Sequence, residues 1–331
     1  MCIVINKPIQ LIIVSDLDGS LLDHHDYSFE PARPLLEQLA KADIPVVLCT
    51  SKTRAEVQAL RKTLRNHSPF IVENGAAVYL PKVQFPIQPQ GTEDAGGYWR
   101  KAFCEKREHW LTLLEEAKTH FIGKFDHFAA MSEARVAELT GLPLGQAAQA
   151  KAREFGEPLQ WLGTDEELIA FTQWFQERGA CILSGGRFVH VAGDADKGRA
   201  MAWLVNEYRE QGVQILHSQQ KQIKAQHHHP RFLQQIQDQF ESLFQQHRAC
   251  QVKSLALGDS QNDVAMLEAS DLAVVIRSPV HEPPKLKRQK GVLISEKEGP
   301  AGWAEGVRHW LSDLNLEQQV LDGEALSRQA R

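Results

Sequence analysis

Cysteine is scarce in this chain, and what there is does not pair. The five residues, Cys2, Cys49, Cys104, Cys181 and Cys250, are odd in number and include no CxxC motif. That pattern speaks against a disulfide framework and for the reduced thiols of a cytosolic protein. An excess of basic residues is missing as well: 37 Lys and Arg against 42 Asp and Glu give a formal net charge of −5, without the cationic surface that nucleic-acid binding needs. This acidic balance also offers no long-range attraction to an anion, so any anion site has to be local. No stretch approaches the ~18 uninterrupted apolar residues of a membrane span. The start, MCIVINKPIQLIIVSDLDG, is cut by Asp16 and Asp18 and has neither a basic first segment nor a small-residue cleavage site, so no signal peptide is expected. Internal repeats are lacking too. The expectation is a soluble cytoplasmic protein with no nucleic-acid or membrane partner.

What is present is length and apolar content. A chain of 331 residues, 43% of them hydrophobic, can bury a large core and is long enough for two domains. Its first 80 residues alternate strand and helix. Leu11–Ser15 and Pro45–Cys49 are short apolar runs that end in polar clusters, the pattern of buried parallel strands. Residues 31–42, with Leu35, Leu36, Leu39 and Ala40 on one face, and Thr53–Leu64, with Val57, Leu60 and Leu64, read as helices. Phe70–Val72 leads through Glu73, Asn74 and Gly75 into a strand at Ala76–Leu80. Such repeats predict an α/β fold, a doubly wound parallel-sheet core. Pro and Gly then cluster after Pro81, and helical segments near 98–118, 132–139 and 164–178 mix with short apolar runs. The α/β rhythm returns at Val189, with a helix at 197–209 and a strand at Ser254–Leu257. The predicted division is a core of 1–83 and 189–331 around an inserted α+β domain of 84–188. Residues 212–250 form a Gln-rich insert in which 231–246 has the spacing of an amphipathic helix. Within it His227, His228 and His229 suit a solvated loop better than a metal site, because three adjacent residues converge poorly on one ion.

Four strand ends carry chemistry. Asp16-Leu17-Asp18-Gly19-Ser20 follows the first buried strand, where open α/β sheets place their ligands. Residues two apart in extended backbone face the same way, so Asp16 and Asp18 can share one pocket. Their mutual repulsion calls for a cation or a shared proton, and a hard oxygen-seeking ion such as Mg²⁺ would answer it. Gly19 lets the backbone approach a ligand closely. Gly258-Asp259-Ser260-Gln261-Asn262-Asp263 is a second carboxylate cluster after a buried strand, with Asp259 as a candidate metal ligand oriented by Asn262 and Asp263. Thr50, followed by Ser51 and Lys52, offers a hydroxyl and N–H groups at a helix N-terminus, suited to a phosphate oxygen. Lys197 opens the helix after Val189–Val191 and can neutralise a nucleophile and a bound anion. Each motif taken singly also has a purely structural reading: an Asp-rich turn, a capped helix start, an N-cap hydroxyl, a solvated lysine. Their joint occurrence, in an order that fits one sheet, favours chemistry.

On these residues the sequence resembles the haloacid dehalogenase superfamily of aspartate-nucleophile phosphatases. DLDGS looks like its first motif, Thr50 its second, Lys197 its third and GDSQND its fourth, while the insertion and the Glu73-Asn74-Gly75 turn resemble the Cof-like subgroup with a large α/β cap. LLDHHDYSFEPA (21–32), TSKTRAEVQALR (50–61), FIVENGAAVY (70–79), ELTGLPLGQA (138–147), GGRFVHV (185–191) and DKGRA (196–200) are similar to the mannosyl-3-phosphoglycerate phosphatase family. Two departures stand out: Ser20 replaces a more usual threonine, and the Gln-rich segment is longer.

The resemblance implies a phosphatase acting on a small phosphorylated sugar-acid, with mannosylglycerate, a compatible solute, as the product. Asp16 would be the nucleophile and Asp18 the general acid and base. Asp16, the Asp18 carbonyl and Asp259 would hold Mg²⁺, replaceable by Mn²⁺ or Co²⁺, with Asp263 behind them. Thr50 and Lys197 would hold the phosphate, and Ser51, Lys52, Asn74, Arg187 and Asn262 would face the substrate. A planar carboxylate suits a bidentate Arg, which makes Arg187 the leading candidate for the glycerate group; Arg153 is a weaker candidate, expected rather at the solvated surface. A monomer or homodimer is expected. Glucosyl-3-phosphoglycerate or a hexose phosphate as substrate, a phosphosugar mutase, and a silent binding protein are the alternatives.

Overall fold

Apolar runs bounded by turns become strands, and the segments between them with a single apolar face become helices. The strands are β1 (Ile9–Ser15), β2 (Val46–Cys49), β3 (Phe70–Val72), β4 (Ala77–Pro81), β5 (Glu93–Asp94), β6 (Tyr98–Ala102), β7 (Phe125–His127), β8 (Gly156–Trp161), β9 (Cys181–Gly185), β10 (Phe188–Ala192), β11 (Gln251–Gly258), β12 (Leu272–Arg277) and β13 (Val292–Glu298). The helices are α1 (Arg33–Lys41), α2 (Arg54–Leu64), α3 (Arg107–His120), α4 (Glu133–Thr140), α5 (Leu144–Lys151), α6 (Asp165–Gln176), α7 (Lys197–Gln226), α8 (Val264–Ala269), α9 (Gly299–Asp313) and α10 (Glu317–Asp322). This computed structural model describes residues 9–185, 188–226, 237–239, 241–242 and 251–322. Arg187, the histidine triplet at 227–229 and most of the helix expected over 231–246 lie outside the described residues.

The large sheet has the order β13-β12-β11-β1-β2-β3-β4-β6-β5. It is parallel from β13 to β3 and antiparallel from there to β5. Its central strands are covered on both faces, which is why they read as continuous apolar runs. Leu11 and Ile13 point into one layer with Leu35, Leu39, Trp303 and Val307, while Ile12 and Val14 point into the other with Met201, Leu204, Met266 and Leu267. A period of two thus divides one strand between two cores. The doubly wound parallel core is therefore present, with a mixed edge.

Register sets the site. Ser15 pairs with Leu257 on one side and Leu48 on the other, and Cys49 pairs with Ile71. The residues that follow these strands, Asp16, Asp259, Thr50 and Glu73, therefore emerge along one edge.

The small sheet, β7-β8-β10-β9, is antiparallel throughout. Phe125, Leu159, Val189 and Val191 pack on one of its faces against Trp110, Leu114, Phe171 and Phe175 of α3 and α6. Two sequence expectations need revision here, and one helix had no counterpart among them. The helix expected from residue 98 begins only at Arg107, because Tyr98–Ala102 extends the large sheet against β4. Val189–Val191 belongs to the small sheet, so strand membership carries the insert past residue 188. The α5 helix went unpredicted: LGQAAQAK buries only Ala147 and has no clear apolar stripe. Among the described residues, no helix is long and apolar enough to cross a membrane.

Candidate active site

The centre of the site is a buried lysine between carboxylates. Lys197, the first residue of α7, is 1% exposed. Its Nζ donates to Asp16 Oδ1 and to Asp263 Oδ1, both at 2.7 Å. Burial acts to lower the lysine's pKa, but the two carboxylates outweigh it and hold the ammonium well above its ordinary value. Asp16 is itself buried, its backbone N–H tied to Leu257 O at 2.9 Å. Burial, and then the charge of Asp263, push its carboxyl well above the usual range despite Lys197.

Asp263 closes the turn before α8. Its Oδ2 accepts from the Asp259 N–H at 3.2 Å, the Ser260 N–H at 3.1 Å and the Ser260 hydroxyl at 3.0 Å. This capping box fixes where Asp259 points. Asn262 lies in the same turn, its Oδ1 beside the Ser260 hydroxyl as an alternative acceptor to Asp263. Asp259, 2% exposed, accepts from Ser20 Oγ at 3.3 Å and has His281 Nε2 at 3.2 Å from Oδ2. Burial and then Asp263 raise its carboxyl to about 6. Gly19 makes the approach possible: its φ is +81°, and a Cβ there would overlap the Asp259 carboxylate.

Asp18 stands apart from this cluster. Its side chain is 37% exposed against 9% for Asp16, and its Oδ2 accepts from Lys52 Nζ at 2.7 Å. The other oxygen, Oδ1, is buried with no hydrogen-bond partner among the described residues. Lys52 lies over the Tyr27 ring, 5.5 Å from its centroid. Burial acts to lower the lysine's pKa, and the Asp18 carboxylate reverses this.

Thr50 is 1% exposed, with its N–H on Ile71 O at 3.1 Å and its Oγ1 accepting from the Lys52 N–H at 3.2 Å. Asn74 hangs from the same loop through its N–H on Thr50 O at 2.9 Å. It adopts φ +59°, and its buried Oδ1 has no hydrogen-bond partner among the described residues. Asn tolerates this left-handed conformation better than most residues.

The structure thus brings Asp16, Asp18, Thr50, Ser51, Lys52, Asn74, Lys197, Asp259, Asn262 and Asp263 to one edge of the sheet. Arg153 differs from its expected place at the solvated surface. Its side chain is 10% exposed, donates from Nη2 to Ser51 O at 3.1 Å, and has Nε 3.2 Å from Glu73 Oε2. The side-chain contacts of Arg153, Glu73 and His281 carried no local signal, since their partners lie far away in sequence.

The donor set fits a hard divalent cation. Carboxylate oxygens of Asp16, Asp259 and Asp263 all lie within 4.8 Å of one another. Burial first, and the charge of Asp263 second, push two of these three carboxyls upward, and Lys197 is the one ammonium among the described residues in contact with Asp16 and Asp263. The expected set takes the Asp18 backbone carbonyl rather than a third carboxylate, so Asp263 in this cluster displaces none of its members. Asp263 spends its oxygens on Lys197 and the 259–260 amides, which suits an orienting part.

The profile of the haloacid dehalogenase-like hydrolase family matches residues 13–117, and that of sucrose-6F-phosphate phosphohydrolase matches residues 234–311. A glucosyl-3-phosphoglycerate/mannosyl-3-phosphoglycerate phosphatase of Methanococcoides burtonii is 31% identical over 311 residues, spanning 92% of this chain and 98% of the relative. Among solved structures, a Thermotoga maritima protein superposes with a TM-score of 0.55 at 17% identity, covering 91% of this chain and 96% of its own. A phosphatase of the haloalkanoate superfamily from Bacteroides thetaiotaomicron does so at 0.55 and 14%, covering 96% and 98%. At these identities the structural matches speak to the fold alone.

Proposed function

For a chain that belongs to the haloacid dehalogenase-like phosphatases, and is thereby a phosphoric monoester hydrolase, we propose a phosphorylated sugar-acid as substrate, with mannosyl-3-phosphoglycerate first and its glucosyl counterpart second. The observation that carries the reading is the contrast between two aspartates two residues apart. Asp16 is buried against Lys197, while Asp18 meets solvent and Lys52. One is placed to attack and the other to exchange protons.

In the proposed reaction Asp16, with Oδ1 on Lys197, attacks phosphorus through a carboxylate oxygen. The bond from phosphorus to the ester oxygen breaks, and Asp18 delivers a proton to the departing alkoxide. Asp18, now a carboxylate, takes a proton from water as that water attacks the aspartyl-phosphate. The phosphorus–Asp16 bond breaks, releasing inorganic phosphate and restoring both groups. Thr50 Oγ1 and the Lys197 ammonium hold the non-bridging phosphate oxygens, and charge stabilisation there is the main requirement of phosphoryl transfer. Lys52 is drawn to the arriving phosphate, which loosens its grip on Asp18. Asp16, the Asp18 backbone carbonyl and Asp259 would hold a divalent cation, Mg²⁺ first. Its charge would offset the crowded carboxylates and stabilise negative charge on the phosphoryl group. The small sheet and its helices are proposed as a substrate-selecting cap, with Ser51, Asn74, Asn262 and Arg187 toward the substrate.

The test is phosphate release by the purified protein with Mg²⁺ from mannosyl-3-phosphoglycerate, glucosyl-3-phosphoglycerate and hexose phosphates, with Asp16→Asn as the blank. A preference for either glycosyl-3-phosphoglycerate supports the reading. Faster hydrolysis of a simple hexose phosphate sinks it.

A further inference from the structure

We propose that Glu73 is a positioning residue that sets the small sheet in register with the phosphate-binding loop, and that Arg153 reinforces it. Glu73 has φ +49° and is 4% exposed. Its backbone belongs to the phosphate side: the Glu73 N–H donates to Lys52 O at 3.0 Å, beside the Asn74 N–H on Thr50 O. Its carboxylate reaches the other way. Oε1 accepts from the Glu154 N–H at 2.7 Å, and Oε2 accepts from the N–H groups of Gly156 at 2.9 Å and Phe155 at 3.3 Å. These three amides lead into β8, an inner strand of the small sheet.

Successive backbone N–H groups form a concavity that commonly binds an external anion. Here the anion is the chain's own side chain, from more than eighty residues away. Charge-assisted bonds of this type are stronger than neutral ones, and both carboxylate oxygens are used. Two further ties join the same pieces: Arg153 Nη2 on Ser51 O at 3.1 Å and Thr53 Oγ1 on Gln149 O at 2.9 Å. The segment 149–156 is therefore bound to both stretches that flank Thr50 and Asn74. A displacement of the small sheet would pull on the loop proposed to hold phosphate, and the reverse.

Glutamine cannot replace this carboxylate without loss. It has one acceptor oxygen, and its NH₂ would face an amide N–H, donor against donor. Glu73→Gln thus removes the register while keeping size and shape.

The functional half of this proposal rests on the phosphatase reading above; the structural half does not. Two measurements on Glu73→Gln separate them. Hydrogen exchange followed by mass spectrometry should show the 154–156 amides exchanging at least about tenfold faster, with β12 unchanged. For kcat/KM, a fall of at least about 20-fold is expected with mannosyl-3-phosphoglycerate, which has to span both parts. With p-nitrophenyl phosphate, which needs only the phosphate loop, the change should stay under about threefold. Unchanged exchange at 154–156 overturns the proposal, as does an equal loss on both substrates or no loss on either. If the parent enzyme cleaves p-nitrophenyl phosphate but neither glycosyl-3-phosphoglycerate, the substrate reading fails and the exchange result alone decides on Glu73. Should Glu73→Gln not fold, Arg153→Met, which removes the Ser51 tie, is expected to move the same readouts in the same direction by a smaller factor. No movement there overturns the proposal.

Discussion

Lys197 Nζ and Asp16 Oδ1 lie 2.7 Å apart with side chains 1% and 9% exposed, and the same ammonium serves Asp263 at the same distance. Taking the cation away strands two buried carboxylates. Lys197→Ala is therefore expected to lose about 3–5 kcal/mol of stability, as for other broken buried pairs. Asp16→Asn removes one of two like charges and leaves Lys197 on Asp263. It is expected to unfold, in chelator, at or above the parent's temperature, while kcat falls by at least about 10³-fold. Chemical denaturation of both variants in chelator checks the contrast, and equal stability of the two would refute it.

Lys52 and Asp18 make a pair of the same length in a different setting, with side chains 22% and 37% exposed. Solvent screens such pairs, which typically contribute about 0–1 kcal/mol. Lys52→Met should leave the unfolding midpoint nearly unchanged and lower kcat/KM by about 10–100-fold, through loss of a cation beside the phosphate. A stability loss comparable with that of Lys197→Ala would show that burial is not what separates the two lysines.

Gly19 has no room for a side chain. Alanine would have to adopt φ +81° and displace the Asp259 carboxylate. Gly19→Ala is expected to raise the Mg²⁺ concentration for half-maximal activity by about tenfold or more, the scale of other losses around metal ligands. A metal titration of activity, paired with calorimetric Mg²⁺ binding, measures this, and a parental half-saturation value counts against the assignment of Asp259.

His190, on β10, is lowered to about 4 by burial and then by Arg153. A histidine whose folded value lies below its unfolded value near 6.5 keeps its full stability contribution at neutral pH. That contribution is lost as pH falls from about 6.5 toward 4, because the unfolded chain binds the proton first. At pH 5 the loss is about 2 kcal/mol. His190→Gln should therefore show a shallower fall in Tm between pH 7 and pH 5 than the parent. Parallel profiles would remove His190 as the cause.

The aspartates and Thr50 were legible in the sequence because each follows an apolar run, and a buried parallel strand is among the clearest local patterns a chain can carry. Lys197 was legible for a related reason, since it opens a long helix. Asp263 was visible as a neighbour of Asp259, although its tie to Lys197 spans 66 residues. The antiparallel parts were harder. Tyr98–Ala102 has no buried residue and lies next to the edge strand β5, where alternation carries little information. Arg153 reads as an ordinary charged residue after a weak helix, and only the fold reveals Ser51 and Glu73 as its partners. Pairing between distant residues leaves no periodicity to detect.

Gly75 carries one more consequence. The spot where its Cβ would stand is filled by the Asp196 carbonyl, with the Lys197 backbone nitrogen only 2.7 Å away. The polypeptide leaves the large sheet after Ala102 and comes back against its face with α7, which Lys197 opens, so a detour of almost a hundred residues ends by resting against a single hydrogen atom. That contact works as a mechanical stop. Insertions and deletions along the detour can change its length and shape without moving the landing point, provided nothing bulkier than hydrogen stands at residue 75.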